Sequence, residues 1–494
     1  MKKNDKTAKT TYLSRLILRL ESYDITFSGY LAVFFSISFL RNFLEGAMEN
    51  MHNIGTGATQ DTTILQMGVL FNLEWMTLFC ALALVLRAFA KTDLVRLLKL
   101  MLFCFAWINI VPLIDVFAYH PSGCKIDYLY TLKDYAKALG FFFVPGVDVH
   151  ICLGIRLEVF AAFAACWAFV FIKTKNFLRS SLASILLYFL AVSSMAYPVF
   201  ILLPAMPFVP KYDALINNFF FGASYGGEFL RRNSVMIFIL LVPILLCLYR
   251  VHAGTKKFTE YIKTFLSPLS MVLASSFLCG FLLAPIRQGL AVFQNPYDYF
   301  MLLSGVLTCL IFGLYLDAVS EGSGSVSYAP FYAILVLISS MAVSFDFFLF
   351  CILLFVITIF YSLPPYKAGL SGFFSRVRYP LYASVLLLAG SSVINGAGFL
   401  SKLNFAVPGL VFASLLIISF ASLYDNNTAL LTALFFSCAL LAPAAASLTL
   451  LIPAILAGAL MIAAAKMSKT REERSDRLSL IFAALVVLTG ILGR

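Results

Sequence analysis

The feature that most constrains this chain is the recurrence, from about residue 24 to residue 493, of apolar runs of roughly 17 to 25 residues. A helix rising about 1.5 Å per residue crosses a hydrocarbon core of about 30 Å with such a run. Six runs fall in the front half, near 24–45, 66–90, 97–118, 153–172, 180–203 and 234–250. Nine follow, near 266–286, 298–317, 329–343, 347–361, 379–397, 403–423, 429–444, 449–465 and 478–493. The expected fold class is all-α integral membrane, with about 15 transmembrane helices.

Composition agrees with that expectation. The 494 residues are 61% hydrophobic and only 12% charged, with mean hydropathy +0.93, which leaves too little polar surface to solvate a globule of this size. Gly and Pro are scattered through the runs and no ten-residue alternation occurs, which argues against a transmembrane barrel. A net charge of +12 suits nucleic acid in the abstract, but its placement follows a bilayer. With the N-terminus inside, 25 of the 36 Lys and Arg fall on cytoplasmic connections. The clusters are the N-terminal tail, Arg87 to Lys99, Lys173 to Arg179, Arg250 to Lys263, Lys367 to Arg378, and Lys466 to Arg477. Membrane lipid is therefore the expected surrounding, and nucleic acid is not an expected partner. The basic tail lacks a cleavage site and reads as retained in the cytoplasm. With no transit-like tail, a prokaryotic plasma membrane is the expected location.

The most polar connection in mid-chain, 251–265, is the expected boundary between a six-span module (1–250) and a nine-span domain (266–494). Outward loops are expected at 46–65, 119–152 and 204–233. Most cysteines lie inside apolar spans as small hydrophobes. Cys124 and Cys152 flank one outward loop; two free thiols are expected there, with pairing as the alternative.

Chemistry concentrates in the back half. Tyr361-Ser362-Leu363-Pro364-Pro365-Tyr366-Lys367 follows an apolar span and precedes Arg376 and Arg378. Paired prolines end the helix and hold a rigid turn that can present Lys367 to a phosphate. This segment resembles one in the UbiA family of intramembrane prenyltransferases, where a YSxPP sequence with basic residues closes the fourth of nine helices on the cytoplasmic face. Here it closes the fourth of nine spans counted from 266. The resemblance covers about 266–493 and does not reach the front six spans.

That resemblance implies two acidic motifs, after the second and sixth helices, holding Mg²⁺ against the diphosphate of an isoprenyl donor. After the second span stands Leu316-Asp317-Ala318-Val319-Ser320-Glu321-Gly322-Ser323-Gly324. Against the family pattern Asn-Asp-x-x-Asp-x-x-x-Asp, Asp317 matches, Leu316, Ser320 and Gly324 depart, and Glu321 lies i,i+4 from Asp317 on one helical face. After the sixth comes Ser422-Leu423-Tyr424-Asp425-Asn426-Asn427-Thr428, with Asp425 in place and Asn426 and Asn427 offering only neutral carbonyls. The implied catalytic and metal residues are Asp317, Glu321 and Asp425. The implied substrate-binding residues are Tyr361, Lys367, Arg376, Arg378, Asn426 and Asn427. The implied reaction moves a prenyl group from an isoprenyl diphosphate to a hydrophobic acceptor. The alternative is a non-catalytic relative acting as a transporter, flippase or lipid-binding scaffold.

In the front half, Arg41-Asn42-Phe43-Leu44-Glu45 ends the first span and Gly154-Ile155-Arg156-Leu157-Glu158 opens the fourth. Both read as pairing or snorkelling residues near the outer face. Glu74, beside Trp75 within the second span, is a functional candidate because an ionisable group at that depth is costly. Asp115 reads as interfacial. The four histidines lack ligand spacing, and neither a Walker A sequence nor a nucleophile elbow nor HExxH occurs.

Overall fold

The computed structural model describes residues 12–56, 65–124, 131–149, 151–196, 227–287, 296–320, 328–362 and 371–395, together with Leu129 and Val199. Among the described residues the regular structure is entirely helical. Seven helices there are long and apolar enough to cross a membrane: Phe27–Met51, Met67–Ala90, Leu94–Tyr119, Leu153–Thr174, Phe177–Met195, Leu230–Phe265 and Tyr297–Val319. Shorter apolar helices occupy Pro268–Leu282, Ala329–Val343 and Phe345–Tyr361. The protein is thus an integral membrane protein of helical type. The four spans expected beyond residue 400 lie outside the described residues.

The chain divides into two compact units, Met1–Phe258 and Thr259–Arg494. Unit 1 begins with α1 (Tyr12–Ser22) and α2 (Phe27–Thr56), followed by a π-helical turn at Leu65–Leu70 that runs into α3 (Phe71–Ala90). Then come α4 (Leu94–Phe105), a 3₁₀ turn (Ala106–Asn109), α5 (Ile110–Tyr119), α6 (Leu132–Phe141), α7 (Leu153–Thr174) and α8 (Phe177–Met195). Two expectations need correction. Residues 46–56 continue α2 instead of forming a loop, and the 119–152 connection contains α6. Helix α9 (Gly227–Phe265) likewise runs through the polar stretch after Arg250, broken only at Gly254, whose φ of 79° and ψ of 169° suit glycine alone.

The two ends of unit 1 differ in chemistry. At one end the tight turns are basic and left-handed: Lys91 (φ 53°) closes α3 and Lys175 (φ 54°) closes α7. Asp93 then caps α4 by accepting from the backbone N–H groups of Val95 and Arg96, and Asn176 caps α8 by accepting from that of Arg179. The Arg179 guanidinium donates to the Ala88 carbonyl at 2.7 Å. Lys173 pairs with buried Glu21 of α1 at 2.6 Å, and Lys99 donates to the Tyr23 carbonyl at 2.6 Å. Cations at these helix C-termini complement the helix dipoles.

At the opposite end, Cys124 and Cys152 form a disulfide, so the expectation of two free thiols does not hold. The bridge joins the segment after α5 to the residue that precedes α7. Tyr135 of α6 hydrogen-bonds to Ser193 of α8 at 2.9 Å, and buried Leu129, Ala138, Phe142, Val149 and Ile151 continue the core over that end. Between the ends, Phe34, Phe79 and Phe105 pack ring on ring with centroids 4.9 to 5.4 Å apart.

Unit 2 contains α10 (Pro268–Arg287), α11 (Pro296–Ser320), α12 (Ala329–Val343), α13 (Phe345–Ser362) and α14 (Ser371–Asn395). Ser344 alone separates α12 from α13, and its hydroxyl caps α13 by accepting from the Phe347 N–H at 3.0 Å. Glycine sets the spacing of the bundle. A Cβ on Gly280 would strike the Leu387 carbonyl oxygen, one on Gly390 the Phe277 carbonyl oxygen, and one on Gly305 the Phe277 ring. Small residues of this kind let membrane helices approach backbone to backbone, where van der Waals contact replaces the absent hydrophobic drive. Polar ties cross the helices as well: Thr308 donates to Ser339 at 2.8 Å, and Thr358 and Tyr382 share a hydrogen bond at 2.7 Å.

Candidate functional site

The succession of antiparallel helices in unit 2 brings the C-terminal ends of α11 and α13 and the N-terminal end of α14 to one end of the bundle. Asp317 stands half-buried in the last turn of α11, Tyr361 ends α13, and Arg378 lies near the start of α14. Arg378 interacts electrostatically with both Tyr361 and Tyr382. Its guanidinium lies 4.6 Å from the Tyr379 ring centroid and donates to that hydroxyl, while its buried Nε has no hydrogen-bond partner. Beneath this end, Phe312 packs edge-on to Phe355 and Tyr382, and Tyr315 edge-on to Phe355 at 4.8 Å. The structure therefore places Tyr361 beside Arg378 and sets Asp317 at the same end. Arg376 belongs to the first turns of α14. Glu321, Lys367, Asp425, Asn426 and Asn427 lie outside the described residues. Among the described residues no three His, Cys, Asp or Glu side chains come together as a metal ion requires.

Unit 1 holds a second polar centre that sequence reading had dispersed. Arg41 of α2 is 1% exposed. Its Nη2 meets Glu45 Oε1 at 2.5 Å, one turn along the same helix, and Glu158 Oε2 of α7 at 3.5 Å. Its guanidinium carbon lies 5.7 Å from the Trp75 ring centroid on α3, a cation–π distance. Asp115 of α5, also 1% exposed, accepts from the Gly154 N–H of α7 at 2.6 Å and interacts electrostatically with Arg41, Glu45 and Glu158. Gly154 makes that approach possible, since a Cβ there would strike both the Asp115 carboxylate and the Val111 carbonyl. Beside the cluster, Ser38 donates to Asn72 Oδ1 at 2.6 Å, and Asn42 and Asn72 both donate to the Met67 carbonyl, which the π-helical turn turns toward them.

The expected Arg41–Glu45 pair thus exists, but it is buried and joined by Glu158 and Asp115. Asp115, expected at the interface, is enclosed. Glu74 is half-buried next to Trp75. A legible signal was available: three acids and an arginine inside apolar spans, each near the end of its span that the disulfide loop shares. No protein-family model, no curated protein and no solved structure matches the chain.

Proposed function

We propose that unit 2 is a UbiA-like prenyltransferase domain of nine spans, following a six-span module, and that it moves a prenyl group from an isoprenyl diphosphate to a lipid-soluble acceptor. The observation that carries this reading is the shared placement of Asp317, Tyr361 and Arg378 at one end of the bundle, above an aromatic wall. A departing pyrophosphate gains negative charge as the allylic carbon becomes cationic. Arg378 and Arg376, with Lys367 from the YSLPP turn, supply fixed positive charge toward the first, and the faces of Tyr315, Phe355, Phe312 and Tyr382 suit the second. Carboxylate oxygens at Asp317, Glu321 and Asp425 are hard donors of the kind Mg²⁺ prefers, Asn426 and Asn427 add neutral carbonyls, and the ion would neutralise diphosphate charge there. The basic turns of unit 1, together with a disulfide at its other end, support a cytoplasmic N-terminus and an oxidising outer side, as in a prokaryotic plasma membrane.

The test is binding of a labelled isoprenyl diphosphate to the purified protein in detergent, with and without Mg²⁺. Binding is expected to require Mg²⁺ and to fall at least about tenfold in Asp317→Ala and in Asp425→Ala, the loss of one ligand's worth of affinity. Binding unchanged by both substitutions would remove the metal site. A second reading, a non-catalytic UbiA-like transporter, flippase or lipid-binding scaffold, is favoured by a different observation: the buried charges around Arg41, of the kind that line ion and substrate pathways in membrane helices.

A further inference from the structure

Around Arg41 the described charges do not balance. Glu45 and Glu158 approach the same nitrogen of a single guanidinium, Nη2, from α2 and α7, and Asp115 interacts with that guanidinium electrostatically. The other two nitrogens of that guanidinium, Nε and Nη1, are buried and have no hydrogen-bond partner. Asp115 Oδ2 is equally without a partner, although Asp115 Oδ1 holds the Gly154 N–H.

On α2, Glu49 is buried one turn beyond Glu45, and on α3 Glu74 precedes Trp75; both make interactions of their own. Arg156, in the first turn of α7, donates instead to the carbonyls of Val144, Val147 and Ile151. Tyr119 of α5 accepts from the Leu153 N–H. Within membrane-spanning helices, several ionised carboxylates about one cation lack both water and counter-charge, whereas a proton on one of them lowers the excess and supplies a donor for an unmatched oxygen.

We propose that Glu45, Glu158 and Asp115, gathered about Arg41, form a proton-binding site that exchanges through Glu158 with the membrane side bearing the Cys124–Cys152 loop. Glu158 is the least covered of the two guanidinium ligands, with 19% of its side chain exposed against 8% for Glu45, and it sits in the second turn of α7, six residues beyond the disulfide. The proton passes between carboxylate oxygens, and its arrival on one glutamate frees Arg41 to pair fully with the other. Because Arg41 belongs to α2 and Glu158 to α7, the choice of partner couples those two helices to the proton.

Infrared difference spectroscopy of the full-length protein in lipid nanodiscs tests this. A protonated-carboxyl C=O band is expected at neutral pH, shifting in D₂O and disappearing as the pH is raised. Glu45→Gln, Glu158→Gln and Asp115→Asn are near-isosteric, and size-exclusion chromatography reports whether each remains folded. Glu158→Gln is expected to reduce the band by about half or more, since it removes the exchanging carboxyl. Arg41→Lys, which keeps the charge, is expected to retain it. Absence of the band at neutral pH, or a band indifferent to all three acid substitutions, would overturn the site.

Discussion

Arg41 shows what one residue can organise in an apolar bundle: its guanidinium reaches a carboxylate on its own helix, a carboxylate on α7 and the face of Trp75 on α3. Truncating it would strand Glu45 and Glu158 without a cation. Breaking a buried pair by deleting one partner costs about 3–5 kcal/mol, so Arg41→Ala should lower the denaturant midpoint of the detergent-solubilised protein sharply, and Glu158→Gln much less. Equal midpoints for Arg41→Ala and the parent chain would mean that the charges are solvated. The i,i+4 spacing of Arg41 and Glu45 is legible in sequence, because helical geometry fixes it. Glu158, 117 residues from Arg41, is not, since nothing local encodes which helices meet. Asp115 was placed at the interface because it sits near a span end. What encloses it is the missing side chain of Gly154, a cue visible only once α5 and α7 are known to cross.

At the scale of elements, hydropathy located the described spans because a helix in a bilayer must satisfy its own backbone and cover it with apolar side chains. It did not reveal the continuation of α2 to Thr56, the π-helical turn or α6, where polar residues are tolerated near the membrane boundary and propensity alone is weak. Nor did it reveal how closely α10 and α14 approach. The α10–α14 crossing depends on Gly280 and Gly390, each lying against a carbonyl oxygen of the other helix. Adding a methyl group there must separate the helices, and overpacking of this type costs typically about 1–3 kcal/mol. Gly280→Ala and Gly390→Ala should each lower the thermal midpoint in detergent. Gly140→Ala, which meets open space on α6, should leave it unchanged. Equal behaviour of all three would contradict backbone-level packing.

For the whole molecule, basic turns and the disulfide lie at opposite ends of unit 1, the arrangement that the proposed orientation across a membrane expects from charge and redox chemistry. Of the candidate prenyl-transfer residues, Tyr361, Lys367, Arg376 and Arg378 were legible as one group because they share a short stretch of sequence, whereas the proximity of Tyr361 to Arg378 is a relation between α13 and α14. The proposed meeting of Asp317 with Asp425 is a tertiary relation that spacing cannot encode, and Asp425 lies outside the described residues. The account's central claim is that these positions surround one diphosphate. The most direct measurement is photo-crosslinking with a photoactivatable isoprenyl diphosphate in the presence of Mg²⁺, with labelled peptides mapped by mass spectrometry. The account predicts labels on the segments holding Asp317 and Glu321, Tyr361 and Lys367, Arg376 and Arg378, and Asp425 to Asn427, all displaced by unlabelled diphosphate. Labels confined to unit 1, or scattered and indifferent to competitor, would contradict it.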